Sequence, residues 1–164
     1  MDPSYKQILE NAQAKKAGYK KFFDKLKQKA PKDLDQVCNQ LNDEVFETID
    51  CLQCANCCTT TGPLLLQKDV ERAAKALKLR PADFTQQYLR TDEDGDTVFK
   101  SMPCPFIQGD KCCSIYGDRP NACREFPHTH QRDMLQKLKI TFENTMICPA
   151  VALVAEGLRE RYKV

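Results

Sequence analysis

CLQCANCC, residues 51–58, puts four thiols into eight positions, and the use made of those thiols decides what kind of fold the chain builds. Three uses compete: pairing as disulfides, redox chemistry as free thiols, or holding a metal. Disulfides persist in oxidising compartments and staple chains too small to bury a core. With 164 residues, this chain is long enough for one domain with an apolar core of its own. Its ten cysteines are about 6% of the chain, below the roughly 8–10% of disulfide scaffolds. The opening segment, MDPSYKQILENAQAKK, has no basic region followed by an apolar one, so no secretory signal is expected. No run approaches 18 apolar residues, so no transmembrane span is expected either. The expectation is a cytoplasmic protein, in which clustered cysteines stay reduced and serve as metal ligands.

The charge balance narrows the partners. A formal net charge of +2 gives no ground for a nucleic-acid or membrane partner, and the lysines from Lys15 to Lys29 interleave with apolar residues at helical spacing instead of forming a basic arm. Eight thiolates on two divalent ions would move that sum by about −4. A protein partner is not readable from the sequence.

Around the cysteine stretch the chain reads as helical. Asp2-Pro3 suits a cap and first turn, and Tyr5, Ile8, Leu9, Ala12, Tyr19, Phe22, Phe23 and Leu26 recur at steps of three and four, a single helical run ended by Pro31. Asp33 opens a second helix with Leu34, Val37, Cys38, Leu41, Val45 and Ile49 on one stripe. Cys38 lies on that stripe and is read as a small core residue. After the turn-rich exit Thr59–Pro63, a third helix runs from about Gln67 to Leu79, and Pro81 starts a fourth through Phe84, Tyr88 and Leu89. TDEDGDTVF reads as a polar hairpin tip, because the spacing of its acids does not meet the calcium-loop pattern. CPFI and CCSIY around QGDK make a second hairpin candidate. GDRPNACREF should form a short helix capped by Asp118 with Pro120 in its first turn, and Ala150, Val151, Val154, Leu158 and Tyr162 mark a last helix after Pro149. The expected fold is mainly α with one or two small β-hairpins, an irregular cysteine-rich metal-binding domain. Residues 1–50 are expected to form an N-terminal helical hairpin packed on the core and 51–164 the cysteine-cluster domain, together one compact unit.

Cys51, Cys54 and Cys57 stand at i, i+3 and i+6, a spacing that in a loop turns three sulfurs toward one point. Cys58 then projects elsewhere, which implies a second point of convergence. With Cys38 and one of the Cys112/Cys113 pair set aside, eight thiols remain. Eight is two sets of four, the number used by tetrahedral zinc or a cubane iron–sulfur cluster. Spacing alone does not choose between Cys112 and Cys113. Arg119 and Arg124 flank Cys123 and could offset thiolate charge, or pair with Asp118 and Glu125 at the surface. His128 and His130 are read as surface or supporting residues, since the cysteines already suffice. Gly62 and Gly117 stand alone, so no phosphate loop is present, and no Ser/His/Asp signature appears.

The blocks CLQCANCC, PCPFI, CSIYGDRPNACREFP and a late Cys148-Pro149, in this order, resemble the CxxCxxCC (YkgJ-like) family of zinc- or iron-chelating cysteine-cluster proteins, from roughly Cys51 to Pro149. The resemblance implies that Cys113, which directly precedes Ser-Ile-Tyr, is the ligand and Cys112 an extra. Family members often carry Gly where this chain has Ala55. The implied metal ligands are Cys51, Cys54, Cys57, Cys58, Cys104, Cys113, Cys123 and Cys148. Three cysteines at two-residue gaps with a remote Cys-Pro favour an iron–sulfur cluster over zinc, while the two-set count suits two zinc ions equally.

These readings lead to a cysteine-rich protein that holds an iron–sulfur cluster or zinc through thiolates, in electron transfer or redox sensing. The alternatives are a structural zinc-binding interaction module and a metal storage or delivery protein. An iron–sulfur oxidoreductase-like enzyme is a further class. The resemblance extends to oxidoreductase-like proteins and to flagellin lysine methylases that share the motif, but no substrate site is readable here.

Overall fold

A computed structural model describes residues 1–163, and the chain divides into two compact units. One combines Met1–Cys54 with the segment from Pro127 onward; the other is Ala55–Phe126. The first unit is built of α1 (Pro3–Ala14), α2 (Lys16–Lys29), α3 (Leu34–Phe46) and the single turn α4 (Cys51–Cys54), completed by α9 (Met134–Asn144) and α10 (Pro149–Tyr162). Asp2 caps α1 by accepting from Ser4 N at 2.8 Å, with Pro3 in the first turn where a missing N–H costs nothing. Ala30, left-handed at φ 44°, closes α2 ahead of Pro31. The apolar stripes meet in one core that includes Tyr19, Phe22, Leu26, Cys38, Met134, Leu138, Val154 and Leu158.

The periodicity predicts one helical run up to Pro31, and the structure breaks it at Lys15, whose backbone leaves the helical region at ψ 6°. The buried residues Tyr5, Ala12, Tyr19 and Leu26 repeat every seven positions, against which a straight helix drifts by about 20° per repeat. A break after the second repeat resets the stripe, and Lys15 and Tyr19 then both bond Glu156 Oε1, at 2.8 and 2.7 Å. Helix α9 lay outside the sequence reading. Its inward face carries Thr141 and Asn144 beside Met134 and Leu138, and these polar groups are satisfied by Lys137 O and Pro127 O. A core face with hydroxyl and amide groups does not show as an apolar stripe.

In the second unit α5 (Asn56–Thr60), α6 (Gln67–Ala76) and α7 (Pro81–Tyr88) precede β1 (Leu89–Thr91) and β2 (Thr97–Phe99). The strands pair antiparallel with Leu89 opposite Phe99 and Thr91 opposite Thr97. Asp92 Oδ1 accepts from Asp94 N and Asp96 N, so the acidic tip spends its carboxylate on the turn. Leu65, Val70, Ala73, Ala74, Phe84, Leu89, Phe99, Phe106 and Ile115 form a separate core, in which Phe84 stacks on Phe106 at 6.0 Å. The QGDK segment makes a turn with one isolated bridge, Ile107 to Cys113. A short 3-10 turn (Tyr116–Asp118) and α8 (Asn121–Glu125) follow. Pro120, not Asp118, sits at the start of α8; the N–H of Asn121 is taken by Asp69, a more distant carboxylate that sequence proximity could not suggest. Among the described residues the fold is mainly α with a single two-stranded sheet. No described helix is long and apolar enough to cross a membrane.

Candidate metal centre

The cysteine stretch folds as two short helices, α4 and α5, separated by Ala55 at φ 52°. Ala55 thus holds a left-handed conformation that glycine adopts without strain. In α4, Cys51 and Cys54 stand three residues apart and share a face. The turn is anchored at its start, where Asp50 N donates to Tyr5 Oη at 2.9 Å and Asp50 Oδ1 accepts from Leu52 N. Cys148 belongs to the same unit, at the N-cap of α10. Burial pushes its thiol up to about 12; the amides of Val151 and Ala150 work against that, and the charges of Cys51 and Cys54 add to it. The three sulfurs therefore sense one another.

The second unit gathers four thiols from three separate blocks. Cys104 N donates to Cys58 O at 2.8 Å, which sets these two residues side by side. Burial raises Cys104, and charge on Cys58 and Cys113 raises it further. Burial likewise raises Cys113, with Cys58 adding to it. Cys123 is pushed up to about 12, first by burial and then by Cys58, Cys104 and Cys113. Cys58 is the exception, lowered to about 7 because the Cys57 thiol, 3.9 Å away, hydrogen-bonds it and Arg119 favours its charge against the opposing effect of burial. Arg119 also favours the ionised forms of Cys113 and Cys123. Its guanidinium lies 3.7 Å over the Tyr116 ring and donates to Tyr116 O at 3.1 Å, so a cation is held next to the thiols.

Backbone amides repeat one arrangement. Cys104 is favoured as thiolate by the N–H groups of Phe106 and Ile107, Cys113 by that of Ile115, and Cys148 by those of Ala150 and Val151. After Cys104 and Cys148 comes a proline with no N–H, so the first donors are two and three residues on. Such N–H···S contacts orient thiolate ligands and stabilise their charge. The Cys-Pro pairs are the sequence signal for this; the amides themselves have none.

The remaining candidates separate clearly. Cys38 is fully buried in the first core and pushed up to about 12, by burial and then by Asp35. Cys112 N is bonded to Asp110 Oδ1 in the turn. His130 faces Asp43 at 3.3 Å on the surface, and His128 meets Gln131 at 3.3 Å. None of the ten cysteines is in a disulfide. Among the described residues, no three His, Cys, Asp or Glu side chains already form a set that holds a metal ion. The thiols are electrostatic neighbours, and ligation would draw them closer. Their chemistry suits a soft or borderline metal: sulfur donors in sets, amides aimed at sulfur and a fixed cation.

A largely helical scaffold that groups thiols from dispersed blocks defines a cysteine-cluster protein. Residues 50–149 match the family model "CxxCxxCC: Putative zinc- or iron-chelating domain". That match spans more than half of the chain, and the chain belongs to this family. No curated protein and no solved structure matches it.

Proposed function

We propose that the protein chelates metal through the thiolates of Cys51, Cys54, Cys57, Cys58, Cys104, Cys113, Cys123 and Cys148. The observation that carries the reading is the gathering of Cys58, Cys104, Cys113 and Cys123 from three blocks of sequence, with amides and Arg119 favouring their ionised forms. Grouping buried thiols without a cation between them raises their proton affinity, an arrangement that a metal ion relieves. These residues bind the metal, shield it by burial and balance its charge.

An iron–sulfur cluster is the first assignment, because Cys104-Pro105 and Cys148-Pro149 resemble cluster ligation. A bound cluster would supply one-electron transfer, and with it electron transport or redox sensing. Zinc is the second, favoured by the number of thiols in the Ala55–Phe126 group, four, which matches a tetrahedral site that would serve as a structural cross-link. Metal and acid-labile sulfide analysis of protein purified without air separates them. Iron with sulfide is the expected result. Stoichiometric zinc without sulfide would overturn the cluster assignment, and absence of both metals would overturn chelation itself.

A further inference from the structure

Asp69 is 1% exposed, yet it stands outside the thiol set. Its carboxylate accepts three hydrogen bonds: Oδ2 from Leu66 N at 3.0 Å, and Oδ1 from Asn121 N at 3.0 Å and Arg72 Nη2 at 2.6 Å. The first closes the start of α6, the usual work of an acid at the third helical position. The other two are more than a cap requires. Arg72 extends the reach, donating from Nη2 to Arg119 O at 2.9 Å and from Nε to Asp118 O at 3.4 Å. One ion pair on α6 thus holds the backbone at 118, 119 and 121, the run that leads into Cys123. Burying a carboxylate is costly unless its charge is paired and its lone pairs are filled. Here Arg72 on α6 pairs the charge, and the amides of Leu66 and Asn121 fill further lone pairs, so one of the satisfying groups comes from that run. Arg124 adds a bond from Nε to Arg119 O at 3.1 Å, so the carbonyl of Arg119 is fixed from two sides.

We propose that Asp69 and Arg72 are positioning residues for the thiol group of the Ala55–Phe126 unit, holding residues 116–124 so that Cys123 and the Arg119 guanidinium stand among Cys58, Cys104 and Cys113. The proposal rests on the chelating reading for its purpose, but its geometry can be tested without any metal. Removing the clamp deletes no thiol but lets the segment carrying Cys123 drift.

The test compares wild type, Asp69→Asn and Arg72→Lys as full-length, metal-free protein. Arg72→Lys keeps a cation for Asp69 but lacks the fork that spans two carbonyls, so it reports even if Asp69→Asn does not fold. Pulsed iodoacetamide labelling with peptide mapping should show Cys123 alkylated about tenfold faster in the variants, the scale expected when charge-assisted hydrogen bonds are lost, with Cys112 unchanged. Zinc titration should show affinity at this group weakened about 10–100-fold, as for lost supporting contacts at metal sites, with the Cys51, Cys54 and Cys148 group unaffected. Unchanged Cys123 labelling in Arg72→Lys, or an equal rise at Cys104, Cys112 and Cys123, would overturn the proposal. If wild type takes up no zinc, the zinc assignment falls, and the labelling comparison alone decides the clamp.

Discussion

Cys38 and Cys123 are both pushed up to about 12 by burial, and what surrounds them separates their roles. Cys38 is packed among Leu34, Val37, Val154 and Leu158 in an apolar core, whereas Cys123 has three thiols and Arg119 around it. Cys38→Ala should therefore keep the metal content of wild type and cost on the order of 1 kcal/mol in urea unfolding, the price of a small cavity. Cys123→Ala should lose bound metal. Equal metal retention in the two variants would contradict the assignment. The role of Cys38 was legible because a 3.6-residue period states which face is buried. The surroundings of Cys123 were not, because Cys58, Cys104 and the Asp69–Arg72 pair lie far from it in sequence and nothing local encodes their approach.

At the scale of elements, two glycines in helices have opposite environments. Gly18 lies in α2 with nothing within 4 Å of an added Cβ, whereas a Cβ on Gly157 in α10 would sit 2.6 Å from Leu41 Cδ2 on α3. Alanine gains about 0.5–1 kcal/mol over glycine in a helix interior, and overpacking costs about 1–3 kcal/mol. Gly18→Ala should raise the unfolding midpoint more than Gly157→Ala, where the Leu41 side chain must give way; an equal gain at both would mean that Leu41 does not press on Gly157. Sequence periodicity located α3, α6 and α10 because each has a clean apolar stripe, and Pro81 marked the start of α7, although Leu89, read as helical, opens β1. Periodicity missed α9, whose core face includes Thr141 and Asn144, and ran α1 and α2 together because the break at Lys15 depends on Glu156 more than a hundred residues away. It also read residues 51–58 as a loop, where Ala55 in a left-handed conformation divides two short helices.

At the scale of the molecule, each compact unit carries its own apolar core and its own group of thiols. Glu156 on α10 ties the α1–α2 junction and α2 to α10 through Lys15 and Tyr19, and pairs with Arg159 on its own helix. Burial acts to raise its carboxyl, but the hydrogen bonds from Lys15 and Tyr19 and the nearby cations outweigh this and leave it below the ordinary value of 4.5. A lowered carboxyl contributes stability above its unfolded value and loses it as the pH falls through the folded one. The stability difference between wild type and Glu156→Gln should thus be largest near neutrality and shrink below about pH 4.5. Urea midpoints of both proteins across that range check this, and a difference constant with pH would remove the linkage.

The central claim is that the grouped cysteines chelate metal, and the most direct measurement is the metal content of protein isolated without air, comparing wild type with Cys58→Ser/Cys123→Ser and Cys38→Ala. Stoichiometric zinc or iron in wild type, kept by Cys38→Ala and reduced in the double variant, is the result the account predicts. Equal metal in all three, or none in wild type, would contradict it.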